Sequence, residues 1–119
     1  MSDTREPTVF ERIVAREIPA QIVAETDRVI AFEDIAPKAP VHVLVVPKTA
    51  AHRDVVELAA ADPDLLAEVV EVASRIGAER AGGQFRLVFN TGADAGQTVF
   101  HVHAHVLAGF GGQEDHVGL

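Results

Sequence analysis

The segment TVFHVHAHVLAG constrains the fold more than any other feature of the chain. In it His101, His103 and His105 alternate with small apolar residues. Side chains of a β-strand alternate between its two faces, so the pattern predicts a strand with three imidazoles on one face and a packed apolar surface on the other. Alternate residues of a strand lie roughly 6–7 Å apart. The segment therefore predicts a row of imidazoles that faces a common pocket.

Helix and strand signals divide the rest of the chain. A short amphipathic helix is predicted over residues 8–15, and a longer one over residues 62–81, where Asp62 suits the N-cap and Pro63 the first helical position. An apolar stripe on the longer helix is predicted to face the core: Leu65, Leu66, Val69, Val70, Ala73 and Ile76. Strands are predicted over residues 21–26, 28–33, 41–47, 85–90 and 98–108. Three consecutive strands with short connections favour an antiparallel meander, so the predicted fold class is α+β.

Length and apolar content predict one folded domain. The 119 residues argue for a single domain over residues 1–119, and an apolar content of 48% supplies its core. There is no cysteine, which excludes disulfides and thiolate chemistry. No apolar run reaches the roughly 18 residues that a membrane span needs. The polar start MSDTREPTVF also lacks the apolar core of a secretory signal. We expect a cytoplasmic protein without a membrane partner.

The acidic balance of the chain limits the class of ligand. A formal net charge of −8 argues against a nucleic acid polymer as partner, because such partners are bound by basic surfaces. A single small phosphate ligand needs far less positive charge, since backbone N–H groups and one or two imidazoles can hold it. The charge thus leaves a mononucleotide open as a ligand.

The whole chain resembles a known family. HVHAHVL matches the alternating signature of the histidine triad (HIT) proteins, and the chain is similar to their Hint branch, the nucleoside phosphoramidase-like members. Further matches are FERIVAREIPAQIV, FEDIAPKAPVHVLVVPK and NTGADAGQTVFHVHAHVLAG, in that order. The resemblance implies a HIT-like fold, a five-stranded antiparallel sheet with two helices. It also implies a homodimer with one nucleotide site per subunit, and no cofactor.

The resemblance assigns roles to four histidines. It makes His103 the nucleophile, which forms a covalent nucleotidyl-histidine, and His105 a donor to phosphate. His101 and His42 are expected to form a supporting hydrogen-bond relay. Physical chemistry agrees with the role of His103, because imidazole is nucleophilic only when neutral and neighbouring histidines disfavour its protonated form. A carbonyl that accepts from its second nitrogen would fix the tautomer.

The same resemblance implies a substrate site. Residues expected to contact phosphate oxygens or the leaving group are Asn90, Gly96, Gln97 and Thr98. Asp34 is expected to accept from both ribose hydroxyls. The expected base pocket, an apolar slot that favours purines, contains Phe10, Ile13, Phe32 and Ile35. The implied reaction is a double displacement at the α-phosphorus of purine nucleoside phosphoramidates or related nucleotides.

Two other functions fit parts of the pattern. One is a metal centre, because histidines at positions i and i+2 of a strand can ligate Zn²⁺. Three histidines at this spacing span about 13 Å, too far to bind one ion, and His42 is the only obvious further ligand. We therefore expect no metal. The other is a nucleotide-binding sensor or scaffold with vestigial catalysis, which tight binding without a covalent intermediate would indicate.

Overall fold

Five antiparallel strands form the sheet of the computed structural model, in which residues 6–111 are described. The strands are β1 (Ile22–Glu25), β2 (Val29–Glu33), β3 (Val41–Pro47), β4 (Arg86–Val88) and β5 (Ala104–Ala108). Their order across the sheet is β1-β2-β3-β5-β4, so the first three strands form the expected meander and the α+β class is confirmed. The predicted domain also includes residues 1–5 and 112–119, which lie outside the described residues.

A long helix, α3 (Pro63–Ala81), covers one face of the sheet. Asp62 caps its first turn by accepting from Leu65 N–H, and Gly82 ends it in the left-handed conformation. The predicted stripe is mostly buried, but Val70 is exposed, while Val72 faces the core instead. The core on this face includes Val102, Ala104 and Val106, the apolar residues that alternate with the histidines.

A short helix, α1 (Val9–Val14), lies on the opposite face of the sheet. Thr8 and Glu11 form a reciprocal capping box at its start, which satisfies two backbone donors. Phe10 and Ile13 pack with Ile30, Phe32, Leu44 and Val46 in a second, smaller apolar cluster. Because the histidines point toward this side, the alternation of the triad segment is confirmed by its contacts.

The last strand is shorter than predicted. It begins at Ala104, not at residue 98, and its pairing with β3 ends at Val45 opposite Ala104. Two residues beyond Val45, Pro47 has no N–H to donate to a ladder, and its carbonyl accepts from the His101 ring at 2.7 Å. The segment before Ala104 instead bonds to a neighbouring loop, with Val102 N–H donating to His52 O. His101 and His103 therefore lie just before the strand.

An additional helix, α2 (Val55–Ala61), makes three helices where two were expected. Its N-cap is Asp54, whose side chain accepts from Glu57 N–H at 2.9 Å. Leu58 is its buried anchor. Across residues 6–111, no helix combines the length and the apolar character needed to cross a membrane.

Candidate active site

Two cavities meet at the triad segment. The first, here called the apolar cavity, has a volume of about 430 Å³, and the second, the polar cavity, about 270 Å³. Four residues line both: Asp34, Thr98, His103 and His105. A ligand that fills both cavities must therefore pass these four side chains.

Apolar side chains from α1 and the sheet form the walls of the apolar cavity. Phe10, Ile13, Phe32 and Ile35, expected at a base pocket, all line it. The Phe10 ring lies 5.7 Å from the Phe32 ring and 4.9 Å from the His103 ring, centroid to centroid. Ile35 is 98% exposed at the rim, so a bound apolar group would remove a large side chain from water. The lining also includes Val9, Ile18, Pro19, Ala20, Leu44 and Val99, which the sequence did not single out.

The ring of His103 lies where the two cavities meet. Its Nδ1 is 2.9 Å from the carbonyl oxygen of His101. A carbonyl only accepts, so Nδ1 carries the proton and Nε2 keeps its lone pair. Within residues 6–111 this Nε2 has no hydrogen-bond partner. Burial lowers the pKa of His103, and the opposing effects of the His101 carbonyl and Asp34 do not reverse the shift. The ring is thus neutral at pH 7.

His42 and His105 form a hydrogen-bonded pair beside His103. Lys38 N–H donates to His42 Nδ1 at 3.0 Å, so the neutral His42 ring carries its proton on Nε2. This Nε2 donates to His105 Nδ1 at 3.0 Å, which leaves the His105 proton on its own Nε2. Burial, followed by the neighbouring His103 and His42, lowers the pKa of His105 to about 4. His105 is therefore a neutral N–H donor on the lining of both cavities.

Asp34 completes a group of side chains whose ligand atoms could reach one metal ion. One atom each from Asp34, His42 and His105 lies within 4.8 Å of the others. Metal binding through His42 Nε2 would move the ring proton to Nδ1, directly opposite the Lys38 N–H donor. Asp34 itself accepts from Ala36 N–H at 2.7 Å and lies 3.5 Å from His42 Nε2. The hydrogen bonds thus favour a proton-bearing histidine pair over a metal centre.

His101 differs from its expected place in a relay with His42. Its ring is fully buried, lines neither cavity and bonds instead to Thr8 Oγ1 at 3.0 Å and to the Pro47 carbonyl at 2.7 Å. The relay partner of His42 is His105. His101 contributes to the site through its main-chain carbonyl, which accepts from His103. Because the chain leaves the β3–β5 ladder before Ala104, the His101 ring packs in the interior and makes these two hydrogen bonds there.

Three of the four residues predicted in the loop before the triad segment line a cavity, and one does not. Asn90, Gly96 and Thr98 line the polar cavity, and Gly96 has a φ of 102°, which favours glycine. Gln97 does not line either cavity. Its side chain is buried, accepts from Gly92 N–H at 2.9 Å and donates to the carbonyls of Arg53 and Val99. Its amide group holds the loop through these bonds, and the expected contact of Gln97 with phosphate or the leaving group stays a prediction.

Two polar residues at the site were not predicted. Lys38 lines the polar cavity and also fixes the His42 tautomer through its backbone. The signal for it was a single cation in the loop IAPKAP, between Asp34 and His42. Thr8 bonds to His101 across 93 residues of sequence, for which the sequence offered no signal beyond its suitability as an N-cap.

Comparisons with known proteins show the family of the chain. The HIT domain family matches residues 15–112. An uncharacterized HIT-like protein of Synechocystis is 49% identical over 111 residues, which cover 87% of this chain and 91% of the relative. The purine nucleoside phosphoramidase of Escherichia coli strain K12 is 40% identical over 107 residues, covering 87% of this chain and 88% of that enzyme.

Solved structures show the same fold. A HIT family hydrolase from Clostridium thermocellum superposes with a TM-score of 0.85 at 39% identity, covering 94% of this chain and 98% of its own. A histidine triad protein from Clostridium difficile gives a TM-score of 0.80 at 38% identity, with coverage of 90% and 94%. Triad, topology and relatives agree, and the chain belongs to the HIT domain family.

Proposed function

We propose that this protein hydrolyses purine nucleoside phosphoramidates or related nucleotides at the α-phosphorus, through a covalent nucleotidyl intermediate on His103. The observation that carries the proposal is the His103 ring, neutral, with its proton on Nδ1 and its Nε2 lone pair unused where two cavities meet. The relative named purine nucleoside phosphoramidase supports the substrate class. No cofactor is needed for this chemistry.

In the proposed complex the nucleoside occupies the apolar cavity. Phe10 and Phe32 offer flat apolar surfaces to a purine, and Asp34 lies where a ribose hydroxyl can donate to it. The phosphorus then lies beside His103 and His105, with the His105 N–H directed to a phosphate oxygen. The leaving group extends into the polar cavity.

The first displacement forms a bond between His103 Nε2 and the α-phosphorus and breaks the P–N bond. The electron pair of that bond stays with the departing nitrogen, which takes a proton through the Thr98 hydroxyl, a group that is open to solvent. The phosphorylated ring is positive, and its Nδ1–H continues to donate to the His101 carbonyl. That hydrogen bond therefore strengthens as the charge develops.

The second displacement restores the enzyme. A water oxygen attacks the phosphorus, the P–Nε2 bond breaks, and its electron pair returns to His103. The water proton leaves by the same Thr98 route. The enzyme gives one proton to the departing amine in the first step and receives one from water in the second, so its protonation is unchanged. The products are a nucleoside monophosphate and an amine.

His103→Ala tests the proposal directly. We expect wild-type protein to release AMP from an adenosine phosphoramidate and, after rapid acid quench, to carry one nucleotidyl group by intact mass. The variant should lose at least about a thousandfold in kcat, because the bond-forming atom is gone. His52→Ala, outside both cavities, is the matched control and should keep its activity. Tight nucleotide binding by wild-type protein, with no adduct and no turnover, would instead indicate a binding protein.

We also propose a homodimer, following the resemblance to the Hint branch. The three-residue strand β4 lies at one edge of the sheet, and among residues 6–111 it pairs with β5 alone. An open edge of this kind presents backbone donors and acceptors to a second copy.

A further inference from the structure

Lys38 is an exposed residue that lines the polar cavity, within a loop that has proline at positions 37 and 40. The cavity wall around it includes His42, His105, Asn90 and Thr98. Its charge acts on the histidine pair. Burial is the largest influence on the pKa of His42 and lowers it, and the Asp34 carboxylate is the second and raises it. The Lys38 ammonium is the third influence and lowers this pKa. Lys38 is thus close to the reacting end of the site.

Lys38 differs from the other cations of the described chain in having no partner. Each of the others makes an ion pair or a ring contact: Arg12 with Glu6, Arg16 and Lys48 with Glu25, Arg28 with Asp62, Arg53 with Glu57, Arg75 with Glu71, Arg80 with Glu33, and Arg86 over the Phe110 ring. For the ammonium of Lys38, residues 6–111 provide no carboxylate within 4.0 Å. In a chain with 18 acidic and 10 basic residues, an unpaired cation in a cavity is unusual.

The position of the cavities tells which part of a substrate would meet this charge. The polar cavity meets the apolar one at His103, His105, Thr98 and Asp34. If the base lies in the apolar cavity and the phosphorus at His103, the group that departs lies in the polar cavity. Asp34, the other charge on that wall, is engaged by Ala36 N–H and lies 3.5 Å from the His42 ring, so Lys38 is the charge left for the leaving group.

We propose that this protein prefers phosphoramidates whose leaving amine carries an anionic group, a carboxylate or a phosphate, and that Lys38 is the residue that selects it. The inference rests on the proposed function of the same site. A volume of about 270 Å³ gives the leaving group room for a small amine. The chemistry at phosphorus is unchanged, since the P–N bond breaks, the nitrogen takes one proton and the anionic group keeps its charge throughout.

The contact would exist before and during bond breaking, so it should act mainly on KM. Lys38 is exposed, and water screens its attraction for an anion. An exposed pair of this kind corresponds to a preference of about 1.5- to fivefold in kcat/KM.

Three adenosine phosphoramidates of similar length test the inference. Their amines are glycine, which supplies a carboxylate, aminomethylphosphonate, which supplies a phosphate-like anion, and glycinamide, which is neutral. We expect kcat/KM to be about 1.5- to fivefold higher for an anionic amine than for glycinamide. The comparison of the first two substrates shows which anion the site prefers.

Variants at position 38 then assign the preference. Lys38→Gln keeps the backbone N–H that fixes His42 and should remove the preference, and Lys38→Arg should retain it. Lys38→Glu should reverse it in favour of glycinamide. Lys48→Gln is the matched control, because Lys48 is paired with Glu25 and lines neither cavity.

The outcomes separate this inference from the proposed function. An equal fall of kcat/KM on all three substrates in Lys38→Gln would place the ammonium on the phosphate and overturn the inference. A wild-type enzyme that does not discriminate among the amines would overturn it as well. If wild-type protein hydrolyses none of the three, the proposed function itself fails.

Discussion

A single backbone N–H sets the direction of the hydrogen bonds at the histidine pair. Lys38 N–H occupies His42 Nδ1, which forces the His42 proton onto Nε2 and toward His105. His105 then presents N–H, and not a lone pair, on the lining of the cavities. In His103 the proton lies on Nδ1, because the His101 carbonyl accepts from this atom, so the Nε2 lone pair faces the site. Neighbouring imidazoles thus acquire different roles through their backbone partners.

The lowered pKa values of these rings predict a stability that depends on pH. The pKa of His105 is about 4 in the folded protein and near 6.5 when unfolded, so the unfolded chain binds more protons between these values. Stability therefore rises with pH across this window and falls on acidification from about pH 6.5 to about pH 4. The measurement is the urea midpoint as a function of pH.

Two variants show whether His105 is responsible for this pH dependence. His105→Asn keeps an acceptor for His42 Nε2–H but cannot titrate, so its urea midpoint should fall less between pH 6.5 and 4. His52→Asn, outside the site, should follow the wild-type curve. A curve for His105→Asn that matches the wild type would contradict the assignment.

Helix α1 is connected to His103 through one buried ring. His101 Nε2–H donates to the Pro47 carbonyl, and His101 Nδ1 is hydrogen-bonded to the Thr8 hydroxyl, which also caps α1. The His101 carbonyl in turn accepts from His103. Thr8 is therefore a positioning residue that ties the wall of the apolar cavity to the reacting ring.

Substitution of Thr8 separates its role as the N-cap of α1 from its hydrogen bond to His101. Thr8→Ser retains the cap and the hydroxyl proton and should behave as wild type. Thr8→Asp retains the cap but only accepts, so we expect near wild-type stability, a protonated His101 ring and a fall of about three- to tenfold in kcat/KM. Nitrogen NMR of the His101 ring and steady-state kinetics provide the measurements. Equal activity of the two variants, with a changed His101 ring, would show that the link does not reach His103.

Element prediction succeeded where several local signals agreed. Residues 62–81 combine an N-cap, a proline at the first position, a helical apolar period and a terminal glycine, and α3 follows them closely. Helix α2 has seven residues and one buried anchor, so its periodicity was too short to recognise, although Asp54 and Glu57 carry a capping signal. The start of β5 was misplaced because the His alternation continues beyond the point where a partner strand can pair.

At the scale of the molecule, the sequence indicated most of the site through one motif and its resemblance. The residues expected at the base pocket line the apolar cavity, and Asn90, Gly96 and Thr98 line the polar one. His101 and Gln97 line neither, and the roles of all these residues toward a substrate stay predictions. Thr8 acts through a contact with His101 across 93 residues, which no spacing in the sequence encodes, whereas Lys38 acts on His42 four residues away through a loop conformation that the sequence did not reveal. Tautomers likewise depend on which carbonyl or N–H lies opposite each ring.

The predicted homodimer can be tested on the whole molecule. We expect the protein to sediment as a dimer, with about twice the mass of the 12.7 kDa chain. The measurement is sedimentation velocity over a hundredfold range of concentration. A single species with the mass of one chain throughout that range would contradict it.

The absence of an N–H at Pro47 has a consequence for turnover. Since strand pairing stops at Val45 and Ala104, His103 lies one residue outside the sheet. In the proposed reaction, an adduct on this ring would therefore lie outside the β3–β5 ladder. The reaction would then displace a few side chains at the sheet margin, and the free energy stored in the strand ladder would be the same in the resting and the nucleotidylated enzyme.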